Sequence, residues 1–235
     1  MENSDKWNIS DFLNGFKLAL PIMAGYVPLG FGCGIVCAEA GMSTFQIFLM
    51  SFLVYAGAGQ YIAGGMIISG ATPLSIIITT LIVNSRHVLY TSVLYPYVAN
   101  WGFLKQSLFA YQITDEAFAV HSAYMANNQA NTSTAFAVNI FSHASWIISN
   151  VLGSISATLI PDSSQFGLDF TLYALFIALI LPRLISIPQA AAFITGGITA
   201  LCFYLLDMQY AGIIAGALLG AFVGYFMNMR LHHGK

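Results

Sequence analysis

Long apolar runs separated by short polar breaks organise the chain. The runs lie at about 16–38, 45–69, 73–97, 106–125, 131–159, 168–183, 186–206 and 209–229, with breaks at Glu39–Thr44, Gly70–Pro73, Pro96–Lys105, Met125–Thr132, Pro161–Gly167, Arg183–Ser186 and Asp207–Gln209. A helix rises 1.5 Å per residue, so a hydrocarbon core of about 30 Å takes about 20 apolar residues. The pattern predicts an all-α, polytopic integral membrane protein with about 7–8 transmembrane helices, forming one transmembrane domain over residues 1–235. Runs such as Leu74–Val83 and Leu172–Leu181 do not alternate in polarity, which argues against a transmembrane β-barrel. The run at 106–125 is the most polar, with Gln112, Asp115, Glu116 and His121. Such a segment is either re-entrant or shielded by its neighbours.

Composition agrees with this reading. Of the 235 residues 58% are hydrophobic and 7% charged, too few charges to cover a water-facing surface. No basic patch suits nucleic acid. The N-terminal stretch carries Glu2, Asp5 and Asp11 against Lys6, the wrong sign for a signal peptide, so the first span is expected to persist. Cys33, Cys37 and Cys202 sit in apolar runs and read as small packing residues; no metal site or cofactor is expected. With eight crossings Lys6, Lys17, Arg183, Arg230 and Lys235 fall on one side and Lys105 on the other, which predicts a cytoplasmic N-terminus.

The first two spans are rich in helix breakers. Pro21 and Pro28 stand with Gly25, Gly30, Gly32 and Gly34 in the first; the second contains Tyr55-Ala-Gly57-Ala-Gly59-Gln60. Both are expected to be discontinuous helices, which survive at membrane depth only where protein or a wet cavity satisfies the freed backbone. Transporters place substrate sites at such breaks. The last span spaces Gly212, Gly216, Gly220 and Gly224 four apart, a smooth face for close packing within the chain or against a partner.

Ionisable residues in hydrocarbon cost about 2.5–3.5 kcal/mol each on insertion scales, so those inside spans are functional candidates. Asn84-Ser-Arg86-His87-x-x-Tyr90 and Thr114-Asp115-Glu116-x-Phe118 are the two groups. Arg86 and Tyr90 share a helix face, and a guanidinium grips a carboxylate with two donors. Adjacent carboxylates point about 100° apart, given 3.6 residues per turn, so Asp115 and Glu116 should have different partners, one of them Arg86. His143, on one face with Asn139, is a weaker candidate, and the Gln60 amide beside the glycines could read a polar ligand. No motif for ATP hydrolysis or covalent catalysis occurs, so the chain is not expected to be an enzyme.

Three blocks, Ser51-x3-Tyr55-Ala-Gly-x-Gly-Gln60-Tyr61, Asn84-x-Arg86-His87-x2-Tyr90 and Thr114-Asp115-Glu116-x-Phe118, resemble the AzlC family, the large subunit of bacterial branched-chain amino-acid exporters. The family block often ends Ala-Gln-Phe where this chain has Gly59-Gln60-Tyr61. The resemblance implies export of valine, leucine, isoleucine or analogues across the inner membrane, with a small membrane partner of the AzlD type. Arg86, or amides at a broken helix N-terminus, would then hold the carboxylate, and Asp115 or Glu116 the ammonium or a proton. Tyr55, Tyr90 and Phe118 would bound an apolar pocket. A permease or channel for another small solute, and a non-transporting membrane assembly subunit, remain alternative readings.

Overall fold

The computed structural model describes residues 8–127, 130–157, 184–206 and 208–232, with Ile177 and Leu181. Among them all regular structure is α-helical: α1 (Ile9–Glu39), α2 (Thr44–Leu53), α3 (Gly57–Ile68), α4 (Pro73–Asn84), α5 (Arg86–Val98), α6 (Phe103–Tyr111), α7 (Asp115–Asn127), α8 (Thr132–Ala157), α9 (Ile187–Leu205) and α10 (Gln209–His232). The expected span at 168–183 lies outside the described residues. By internal packing the chain divides into two units, Met1–Ala71 with Val83–Leu172, and Thr72–Ile82 with Tyr173–Lys235.

In the first unit α1 and α8 form a seam. The buried positions of α1 include Gly15, Ala19, Ile22, Tyr26, Gly30, Cys33 and Cys37, a stripe at helical spacing. Their contacts advance in step along α8. Asp11 accepts from the Asn131 amide at 2.9 Å and, through its carbonyl, from Thr134 at 3.0 Å; Gly30 abuts Ser149, and Gly34 the Asn150 backbone. The two helices therefore run parallel. A Cβ on Gly30 would lie 2.8 Å from that of Ser149, and Gly153 meets the Phe31 carbonyl, so only glycine admits this approach.

This seam corrects one expectation. α1 is continuous through Pro21 and Pro28, which are not helix breaks. Each proline removes one backbone donor, but packing along α8 carries the helix through them, and membrane helices tolerate such local losses.

The second expected discontinuity is present, and it does more than interrupt a span. α2 runs antiparallel to α8: Thr44 meets Ser154 (2.9 Å), and the Ser51 carbonyl meets His143 (3.1 Å). α3 runs parallel to α1: Gly57 lies against Trp146, which packs on Tyr26, and Gly64 lies against Val36 and Cys37. The segment thus enters to the level of Tyr26 and returns. Tyr55, at φ 43, sits in the left-handed region at its tip, a strained conformation for a tyrosine.

The segment at 103–127 does the same from the other end. α6 begins beside α5's Val98, in a cluster with Phe109, Ile113, Met125, Ala135 and Phe136, and rises until Gln112 reaches His143. α7 starts at Tyr26 through Thr114 and Glu116, passes Asn139 at His121 (2.8 Å), and returns to the start of α8. Half-helices of 9–13 residues are too short to cross a core that needs about 20. The runs at 45–69 and 106–125 are therefore re-entrant hairpins entering from opposite ends. Among the described residues four helical stretches are long and apolar enough to cross: Ile9–Glu39, Pro73–Val98, Thr132–Ala157 and Ile187–Leu205. Lys105 now lies at the same end as Lys17, not opposite it, because α6 starts where α1 starts.

In the second unit α9 and α10 pack closely. Gly212, Gly216, Gly220 and Gly224 face Ala200, Gly196, Ala192 and Pro188 in turn, and a Cβ on Gly216 would fall 2.7 Å from the Gly196 carbonyl oxygen. The four-residue glycine spacing serves packing within the chain.

Candidate functional site

The hairpin tips meet at the level of Tyr26. Thr114 caps α7, its hydroxyl taking the Ala117 amide at 3.2 Å, which satisfies a donor that the helix start leaves free. Asp115 and Glu116 follow in the first turn, where the helix dipole favours negative charge. The two carboxylates diverge, as their adjacency required. Glu116 turns to Tyr26, whose hydroxyl donates to Oε2 at 2.8 Å and stands 2.7 Å from the Thr114 hydroxyl. Since the tyrosine proton goes to Glu116, the threonine donates to the tyrosine oxygen.

Asp115 turns the other way. It forms an ion pair with Arg86 (Nη1 to Oδ2, 2.8 Å) and accepts the Tyr90 hydroxyl at its other oxygen. Phe118 stacks on Tyr90 with ring centroids 4.6 Å apart. With Asp115 only 8% exposed, the pair is largely withdrawn from solvent. Ser85 interrupts the Pro73–Val98 stretch by one residue, setting Arg86 at the start of α5. Asn84 is partly buried with Oδ1 lacking a hydrogen-bond partner among the described residues. His87 lies half-buried near Tyr90, ring centroids 6.0 Å apart, outside the Arg86–Asp115 pair.

The first hairpin's tip is built from uncharged groups. Gln60, 1% exposed, donates to the Ser51 hydroxyl at 3.0 Å and accepts the Trp146 indole N–H at 2.7 Å, so its amide braces the tip from within. The carbonyls at the end of α2 are taken from outside: Ser51's by His143, and Phe52's by the Tyr111 hydroxyl. α3 has no side-chain cap. Gly57 opens it against the Trp146 ring, where a Cβ would stand 3.0 Å from the indole, and Gly59, two residues on, is buried. The Tyr55 hydroxyl faces Tyr26, Thr114 and Glu116 but makes no hydrogen bond of ordinary geometry.

Two clusters therefore share the α7 N-terminus: Arg86, Tyr90, Asp115 and Phe118 on one side; Tyr26, Tyr55, Glu116 and the start of α3 on the other. The motif residues contributed most of both. Tyr26 and Trp146 escaped the motif reading, because each is an aromatic in an apolar run and only the fold shows its polar atom meeting a hairpin tip. A cavity of ≈ 420 Å³ lies along α5 and α6, lined by Thr91, Ser92, Tyr95, Gln106, Ser107 and Phe109 among others, adjoining Tyr90 in sequence.

The family model for "AzlC protein" matches residues 21–160, which hold both clusters. Among relatives, an uncharacterized membrane protein of Archaeoglobus fulgidus is 31% identical over 218 residues, covering 89% of this chain and 92% of its own. The branched-chain amino acid transport protein AzlC of Bacillus subtilis is 28% identical over 188 residues (79% of this chain, 72% of its own). The inner membrane protein YgaZ of Escherichia coli is 29% identical over 217 residues, 88% of each. No solved structure matches.

Proposed function

Because the chain belongs to the AzlC family of multi-pass membrane proteins, we propose that it is a secondary transporter exporting branched-chain amino acids across the inner membrane of a bacterium, and not an enzyme. In this reading residues 1–235 form one transporter domain, and a small AzlD-type membrane subunit completes it. The N-terminus is cytoplasmic, a placement favoured by Lys17 and Lys105 lying at one end of the first unit.

The observation that carries the reading is the meeting of two re-entrant hairpins at a cluster holding one carboxylate, one unengaged buried hydroxyl and one uncapped helix start. An amino acid offers a carboxylate, an ammonium and an apolar side chain. Free N–H groups at the start of α3, with the Tyr55 hydroxyl, suit the carboxylate. Glu116 suits the ammonium. Tyr26, Tyr55 and Trp146 supply apolar wall, and Gln60 fixes its shape. Arg86 is already neutralised by Asp115, which argues for the amides over Arg86 as carboxylate holder. In this scheme Arg86, Asp115, Tyr90 and Phe118 form the brace that sets Glu116, with Asn84 and His87 at the interruption behind it. The cavity on α5 and α6 falls in the size range of small-molecule sites. Proton exchange at Glu116 couples export to the proton gradient.

The test is efflux. In cells lacking their own exporters and fed valine- or leucine-containing dipeptides, this chain with its small partner should lower intracellular valine and leucine, and Glu116→Gln should abolish the effect. Unchanged accumulation with the native pair expressed in the membrane overturns the reading.

A further inference from the structure

His143 belongs to neither cluster, yet it touches both hairpins. It stands on α8, 6% exposed, at the depth where the tips meet. Its Nε2 lies 3.1 Å from the Ser51 carbonyl, which can only accept, so Nε2 carries a proton. In the neutral ring Nδ1 is then an acceptor, and it lies 3.2 Å from the Gln112 amide nitrogen, which donates. One imidazole thus ties the end of α2 to the end of α6. Its face stacks on Tyr55, centroids 4.0 Å apart and planes 26° from parallel, at the residue whose backbone is in the left-handed region. Tyr111, beside Gln112, makes a second bond across the same junction to the Phe52 carbonyl.

We propose that His143 is a positioning residue of the transport cycle: it clamps the two hairpin tips together and holds Tyr55 over Glu116. This rests on the reading of the tip cluster as the substrate site. Tyr26, Arg86 and Trp146 each tie one tip to a neighbouring long helix, whereas the His143 and Tyr111 bonds join one tip to the other and so set their mutual register. The clamp itself touches no substrate and acts through Ser51, Gln112 and Tyr55.

The substitution that isolates the bonds is His143→Phe, which keeps a ring to stack on Tyr55 and removes both hydrogen bonds. His143→Gln keeps a donor for Ser51 and serves as the conservative rescue. Two readouts separate this inference from the reading beneath it. The first needs no substrate: amide hydrogen exchange on the protein with its partner in lipid nanodiscs. His143→Phe should speed exchange about tenfold or more, the loss of two hydrogen bonds, at residues 52–57 and 111–114 together, and His143→Gln less at 52–57. The second is efflux: His143→Phe should raise KM severalfold, and adding Gln112→Ala should raise it no further, because both act through one contact. Exchange unchanged at either tip, or a fall in Vmax at constant KM that follows protein abundance, overturns the clamp. Native protein that moves no branched-chain amino acid, while exchange responds at both tips, sinks the substrate assignment and leaves the clamp standing.

Discussion

The turn of the first hairpin, Val54–Ala56, carries no charge and offers no side chain to the helix behind it, whereas the turn of the second, Gln112–Thr114, ends in a capping threonine and leads into two carboxylates. The lengths are nearly the same, 10 and 12 residues around one turn and 9 and 13 around the other. Two hairpins of similar build thus differ in charge. The second turn satisfies its own helix start and carries the site's negative charge, and Arg86 and Tyr26 stabilise it. The first borrows His143, Tyr111 and Trp146 from other helices and leaves the start of α3 uncapped. That asymmetry suits the amino-acid zwitterion of the proposed function, for which one tip would offer donors and the other an acceptor.

The largest expected effect falls on the charged tip. Arg86→Ala takes the counter-ion from the buried Asp115 carboxylate, which should cost about 3–5 kcal/mol, read as a lowered melting temperature in detergent. Replacing both, Arg86→Met with Asp115→Leu, should recover most of that stability; failure to recover would mean that the charges, and not merely their balance, hold the second tip. Next is Thr114→Ala, which removes the cap and the Tyr26 partner and should cost about 1–2 kcal/mol in the same assay, with Thr114→Ser close to native. The uncharged tip should respond less. Trp146→Phe strips the Gln60 carbonyl of its donor, a hydrogen-bond loss of about 1 kcal/mol. The smallest stability change is expected for Tyr55→Phe, within about 0.5 kcal/mol, since the hydroxyl makes no ordinary hydrogen bond at rest. Its efflux KM should nonetheless rise severalfold. Equal KM for Tyr55→Phe and native protein would dissolve the proposed division of labour between the tips.

Much of this was legible in the sequence for simple reasons. Helix class and most segment limits follow from apolar run length, and the divergence of Asp115 and Glu116 follows from helix geometry. That Arg86 would pair with one of the two carboxylates was legible because a guanidinium inside a span needs a counter-charge; that the partner is Asp115 and not Glu116 was not. What misled was the equation of an apolar run with a crossing. The residues 45–69 are as apolar as a span, and only their contacts with both α1 and α8 show that the chain turns back at Tyr55. Proline misled in the opposite sense: Pro21 and Pro28 look like stronger breakers than Ala56-Gly57, but the seam along α8 overrides them. Tyr26 was unreadable, because a tyrosine in an apolar run gives no hint that its oxygen will meet a glutamate 90 positions away.

The glycine mesh between α1 and α8 has a mechanical consequence. Where backbone touches backbone at Gly30, Gly34 and Gly153, neither helix can roll or slide without driving side chains into main chain. The pair is a rigid keel, and shape change in this unit has to be sought in the four short rods hung on it.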